Sequence, residues 1–201
     1  MMKIFLERKN QILGFAAVLI FCSCGLLKFK KSYNHDYIKI IDPRDGQTYK
    51  TIQIGEQIWM AENLNFETAE GSWCYDNDAT NCEKYGRLYD WETANIVCPG
   101  GWRLPTADDF EILIVRLGGV EKIASYHAII EGGSSGFDAL FGGWLYNNGR
   151  FHRIGSAGIW WSSTKANVDE SLYMGVVSYD PEVFMFMYYF DSGFSVRCIK
   201  N

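Results

Sequence analysis

"WETANIVCPGGWRLPTADDFE" (residues 91–111) places a thiol, two tryptophans, a lone arginine and two helix starts in one short stretch. Asp90 precedes it as a helix cap, and Trp91, Ala94 and Val97 then share one face at helical spacing. Pro105 keeps Leu104 extended, which delays the second helix until Thr106 caps it. Asp109 occupies the position from which a capping box reaches back, and Asp108, Asp109 and Glu111 suit the positive end of the helix. Phe110, Leu113, Ile114 and Leu117 recur at helical spacing until Gly118-Gly119 stops the run. Trp102 is expected as core between the two helices. Arg103 has two readings, a structural ion-pair partner or the lining of a site.

Upstream, "DPRDGQTYKTIQIGEQIWMAENLN" (42–65) has a turn pair at Asp45-Gly46 and a β-branched run. Gly55-Glu56 then reverses the chain, so an antiparallel hairpin is expected. After residue 130 the chain becomes a series of glycine-punctuated strands. "NNG" (147–149) is a hairpin turn between "WLY" and "RFHRI". "IWWSST", "SLYMGVVS" and "VFMFMYYF" follow, and Asp191-Ser192-Gly193 leads into "FSVRCIK". No repeat of 20–50 residues is present. The pattern predicts an α+β domain with two short helices packed on irregular antiparallel sheets.

The 201 residues are 48% hydrophobic and 21% charged, enough apolar material for one packed core. Twelve Tyr, seven Trp and twenty Gly against four Pro favour short strands and tight turns. A net charge of −5 with no basic cluster in the body argues against nucleic acid as a partner. Residues 1–24 have the plan of an export signal, with Lys3, Arg8 and Lys9 before the apolar run 12–21. "FCSC" (21–24) then reads as a bacterial lipoprotein signal with Cys24 as the lipidated residue. The rival is an uncleaved anchor helix over residues 12–27, although this falls short of the ~20 residues that span a bilayer comfortably. The lipoprotein and anchor readings join the protein to a membrane, a simply cleaved signal would release it, and each exports its body, to the cell envelope, the outer membrane or cell surface, or the medium. Residues 25–41 are expected as a tether and residues 42–201 as the domain.

Four cysteines remain in the body, Cys74, Cys82, Cys98 and Cys198, and an oxidising compartment would pair them. Cys74 and Cys82 flank a polar loop that brings them together, leaving Cys98 for Cys198. Their spacing is not that of paired Cys-x-x-Cys zinc ligands. Asp76, Asp78 and Thr80 alternate as calcium ligands do, but an EF-hand needs Gly and Glu where Asn81 and Arg87 stand. A solvated turn closed by a disulfide is the simpler reading. His35, His127 and His152 form no His-x-x-x-His pair. His127, Ser134 or Ser135, and Asp138 lack the Gly-x-Ser-x-Gly elbow and read as turn residues. No catalytic residue, metal or cofactor is therefore expected.

Aromatic residues gather in the last third: Trp144, Tyr146, Trp160, Trp161, Tyr173, Tyr179, Tyr188 and Tyr189. Most should be core. The neighbours in Trp160-Trp161 and Tyr188-Tyr189 point to opposite faces of a strand, which predicts that one of each is exposed. Trp144, Tyr146, Asn147, Asn148, Trp161 and Tyr188 are the candidate ligand contacts, the rings stacking on sugar and the amides orienting it.

The phrases "DPRDGQTYKTIQIGEQIWMAENLN", "CYDNDATNCEKYGRLYDWETA", "CPGGWRLPT", "GF-AL-GG", "WWSST" and "GFSVRCIK", in this order across residues 42–201, resemble the Fibrobacter succinogenes major paralogous domain, a family of bacterial surface proteins. The resemblance implies a lipid-anchored or secreted protein with no established activity. A more distant one is to formylglycine-generating-enzyme-like domains, which have a C-type-lectin-like fold. Trp91, Ala94, Cys98, Arg103, Leu104, Pro105, Thr106 and Glu111 match their signature, while Asp109 and Phe110 replace Glu and Trp. Those positions build the scaffold in that family. Its copper-binding cysteine pair and the sugar-and-calcium motifs of C-type lectins have no counterpart here. The resemblance thus implies a C-type-lectin-like fold without either activity. The expectation is a non-catalytic surface binding or adhesion module, with a polysaccharide or a surface protein as partner and its ligand face on the loops of 130–190. The alternatives are an enzyme on the formylglycine-type scaffold, or an envelope protein that only assembles with others.

Overall fold

A computed structural model of the chain describes residues 33–119 and 122–201. The expected leader, its Cys24 and the start of the tether lie outside the described residues. β1 (Ile38–Ile41), β2 (Thr48–Ile54) and β3 (Gln57–Met60) form an antiparallel meander, with Ile40 opposite Tyr49 and Ile52 opposite Trp59. The hairpin expected within 42–65 is present, and Gly55 turns it at φ 64°, where a side chain would be strained. Residues 38–41, read from sequence as the end of a tether, are instead a strand of this sheet. Isoleucine is a good strand former, and a tight turn closes the pair: the buried Asp42 carboxylate accepts from Arg44 N at 3.0 Å and Arg44 Nε at 2.9 Å.

Beyond β4 (Ser72–Trp73) come α1 (Ala79–Tyr85), β5 (Leu88–Tyr89) and α2 (Trp91–Ile96), then β6 (Trp102–Arg103), α3 (Ala107–Arg116) and α4 (Lys122–Ile129). The two expected helices are α2 and α3. Asp90 caps α2 by accepting from Thr93 N at 2.8 Å. On α3 the capping box is complete, Thr106 Oγ1 accepting from Asp109 N at 3.1 Å and Asp109 Oδ2 from Thr106 N at 2.7 Å. The described residues hold two helices more than expected. α1 grows from the loop read as a simple turn, because Asp78 caps it by accepting from Thr80 N at 2.9 Å. In α4 the mixed set Ser125, Tyr126, Ala128 and Ile129 faces inward. That mixture blurs the apolar period in the sequence.

The last third supplies β7 (Trp144–Leu145), β8 (Phe151–His152), β9 (Ala157–Lys165), β10 (Glu170–Val177), β11 (Asp180–Tyr189), β12 (Phe194–Ser195) and β13 (Ile199–Lys200). One sheet has the order β1-β2-β3-β13-β6 and another β11-β10-β9-β12-β5-β4, with β7-β8 as a separate ribbon. Pairing is antiparallel except between β12 and β9. Among the described residues this is a mixed fold of four helices and three sheets.

β9 has a core on each side. Trp160 joins Trp59, Phe110, Phe137 and Met174 in one, and Trp161 joins Tyr89, Trp91, Leu104 and Phe194 in the other. The two tryptophans do point to opposite faces, but neither is exposed, because packed elements cover the strand on both sides. Trp102 is half-buried against the second core rather than central to it. Two disulfides close the structure, Cys74–Cys82 and Cys98–Cys198. The second spans 100 residues and joins the turn after α2 to the run into β13.

Candidate functional site

The β7–β8 hairpin is built on the "NNG" turn. Tyr146 N donates to Arg150 O and Gly149 N to Tyr146 O, each at 2.9 Å, and Asn148 Oδ1 accepts from Arg150 N at 3.1 Å. Gly149 takes φ 78°. The antiparallel register sets Trp144 opposite His152. Leu145 and Gly193 exchange both backbone hydrogen bonds at 2.8 Å, which locks the hairpin beside β12. That contact brings Tyr146 to Tyr188 of β11, with ring centroids 5.9 Å apart.

The result is one group of half-buried rings from distant segments. Tyr146 lies 4.4 Å from His152 and 5.6 Å from Trp144, edge-on to both, and Trp144 stacks on His152 at 6.1 Å. Tyr188 also packs on buried Phe194 at 5.7 Å, and Tyr173 on Phe194 at 5.1 Å. Burial, then the neighbouring Tyr146 and Asp191, raises the Tyr188 phenol above its ordinary range, and burial pushes Tyr173 to about 12. Both stay protonated at neutral pH, so their hydroxyls donate as well as accept. Asn147 and Asn148 are exposed at the tip of the turn.

Of the six candidate contacts, Trp144, Tyr146 and Tyr188 therefore meet, with the two asparagines beside them. Trp161 does not belong to this group. It is fully buried, stacked on Phe194 at 4.0 Å, with its Nε1 donating to Tyr89 O at 2.8 Å. His152 was missed as a member. Counting outward from the "NNG" turn would have placed it opposite Trp144.

Other sequence features take structural roles. Arg103 is an ion-pair partner, its Nη1 and Nη2 reaching Asp109 Oδ2 at 2.6 Å and Oδ1 at 3.1 Å. Burial raises the Asp109 carboxyl, but Arg103 and the Thr106 donors outweigh it and hold the group below its ordinary range. Ser135 Oγ donates to Ala128 O at 2.7 Å, and Asp138 Oδ2 accepts from Tyr37 Oη at 2.6 Å, so neither is arranged to serve His127. Asp78 is a cap, and no group of three or more metal-ligating side chains occurs among the described residues. No described helix is long and apolar enough to cross a membrane.

The sequence profile of the Fibrobacter succinogenes major domain matches residues 52–200. The chain belongs to that family. The family domain as matched begins within β2 and ends within β13, so it contains both disulfides, all four helices and the whole aromatic group. No curated protein and no solved structure gives a significant match.

Proposed function

We propose that this protein is an exported, non-catalytic binding module that holds a polysaccharide on the faces of Trp144, Tyr146 and Tyr188. The observation that carries the reading is the convergence of these rings with His152, from the β7–β8 hairpin and β11, in a half-exposed group edged by two exposed asparagines. Such rings offer flat apolar faces to the C–H side of a sugar, while phenol and amide groups bond its hydroxyls.

Two further points support the reading. All four described cysteines are in disulfides, which suits an oxidising compartment and leaves none of them as a thiolate for formylglycine-type chemistry. A lipid on Cys24 would hold the domain at the outer envelope. The mixed architecture, with a capped helix after the Arg103-Leu104-Pro105-Thr106 corner, is compatible with the C-type-lectin-like fold that we assign to it.

The test is depletion of the protein from solution by a panel of insoluble plant polysaccharides. Wild type should be depleted by at least one, and Trp144→Ala and Tyr188→Ala should each weaken binding roughly tenfold, about 1.4 kcal/mol. Equal depletion of wild type and both variants, or no depletion across the panel, would reject the reading.

A further inference from the structure

A second hollow lies away from the aromatic group and shares no residue with it. It is a polar cleft of about 310 Å³ between the β2–β3 region, α1 and the loop around Asp138. Its floor is unusual. Arg197, wholly buried and not itself a lining residue, holds two residues that are, its donors going to Asn63 Oδ1 and Asp138 O as well as to Phe137 O. The same Asn63 oxygen accepts from Trp160 Nε1 at 2.8 Å, and Asn63 Nδ2 donates to Tyr85 O at 2.8 Å. Arg197 also lies over the Phe137 ring at 4.4 Å. Burial pulls the guanidinium down to about 9, against the opposing influence of Asp138, Glu62 and Tyr37, and a guanidinium stays charged in proteins at neutral pH.

A buried guanidinium is costly, and here it fixes Asn63 and the 137–138 backbone rather than closing an ion pair. Two further local departures occur along the same cleft. Asp138 holds φ 51°, unusual for a non-glycine residue, with its carboxylate pinned by Tyr37 Oη and Gly132 N. Gly86 lets the end of α1 approach so closely that a Cβ there would lie 2.7 Å from Asn63 Cβ and 2.8 Å from Leu64 O. A buried charge, a left-handed aspartate and an obligatory glycine all shape one polar wall. Departures of this kind concentrate where a fold positions groups for use.

The cleft is lined by four acids, Glu62, Glu83, Glu131 and Asp138, and two lysines, Lys50 and Lys84, with Lys50 pairing with Glu62 at 3.8 Å. The excess of acid disfavours an anion, and among the described residues no three metal-ligating side chains converge there to hold a cation. The wall does present donors and acceptors densely interleaved, which suits groups that do both. We propose that the cleft is a second binding site, for a small neutral polyhydroxylated ligand of one or two sugar units. Asn63 and Arg197 are positioning residues, with their polar atoms engaged in the floor.

The experiment is amide chemical-shift titration of the full-length chain with cellobiose, maltose and N-acetylglucosamine, and separately with inorganic phosphate and calcium chloride. At least one saccharide should give saturable shifts at Asn65, Lys84, Tyr85 and Gly86. Glu83→Trp, which narrows the cleft from an exposed position on α1, should weaken that binding at least tenfold. Tyr188→Ala should leave it unchanged, which separates this site from the aromatic one. Thr48→Arg, on the opposite wall and also exposed, gives the same reading if Glu83→Trp does not fold. Absence of saturable shifts with every saccharide, shifts with phosphate or calcium alone, or saccharide binding undiminished by the folded blocking variant would overturn the proposal.

Discussion

Arg197 and Asn63 are 134 residues apart and meet inside the protein, Nε and Nη2 of the guanidinium donating to one amide oxygen at 3.1 and 2.6 Å. Replacing the acceptor while keeping the charge should cost far more than removing the charge itself. Asn63→Leu strands a buried cation and the Trp160 N–H, and should lose about 3–5 kcal/mol of stability. Arg197→Met keeps much of the stem and removes the charge, so it should lose clearly less. Urea midpoints of the two variants decide this, and equal losses would mean that Asn63 does not hold the guanidinium.

The disulfides should differ in weight. In the chain-entropy model, a closure across 100 residues stabilises by about 4–5 kcal/mol and one across 8 residues by about 2.5 kcal/mol. The double variant Cys98→Ala/Cys198→Ala should therefore unfold at a lower denaturant concentration than Cys74→Ala/Cys82→Ala. The opposite order would place the strength of the fold near α1 rather than at the clasp on β13.

Asp109 should make the fold acid-sensitive in a defined direction. Its carboxyl lies below its ordinary value of 3.8 when folded, so the unfolded chain binds the proton more tightly. The stability it contributes is present above about pH 4 and is lost as pH falls through the folded value. Asp109→Asn should cost about 1 kcal/mol at pH 7, the size of a helix cap. The gap to wild type should narrow below pH 4, as read from denaturation curves at a series of pH values.

Trp161 and Tyr146 were candidates of equal standing in the sequence, and their variants should separate them. Trp161→Ala empties a site inside the core and should lose about 3–5 kcal/mol. Tyr146→Ala, at a half-buried ring, should lose much less stability while weakening polysaccharide binding. Comparing thermal unfolding with depletion assays on both variants tests the division.

The parts of the fold readable in advance are those written locally. Thr106 and Asp109 make a capping box at fixed spacing, "NNG" makes a tight hairpin, and Cys74 and Cys82 lie close enough along the chain to meet. The α1 and α4 helices were not readable. The Asp78 cap sits among turn residues, and the inward face of α4 mixes Ser125 with Tyr126. Strand β1 was hidden because its run of strand formers is only four residues long and needs β2 beside it to become a strand.

For the candidate site the division is sharper. Alternation along β9 shows that Trp160 and Trp161 face opposite ways, but local chemistry does not reveal what covers each face. Only the packing of Trp59, Phe110 and Phe137 on one side, and of Tyr89 and Phe194 on the other, buries both. The sequence alone determined the family's sequence features, the caps of α2 and α3, the tight turns and the Cys74–Cys82 pair, since these depend on residue type and short spacing, and it left Cys98 and Cys198 as the remaining pair. The tertiary structure alone decided which aromatics stay half-exposed together and that buried Arg197 holds two residues of a polar cleft, because burial is set by residues far apart in the chain.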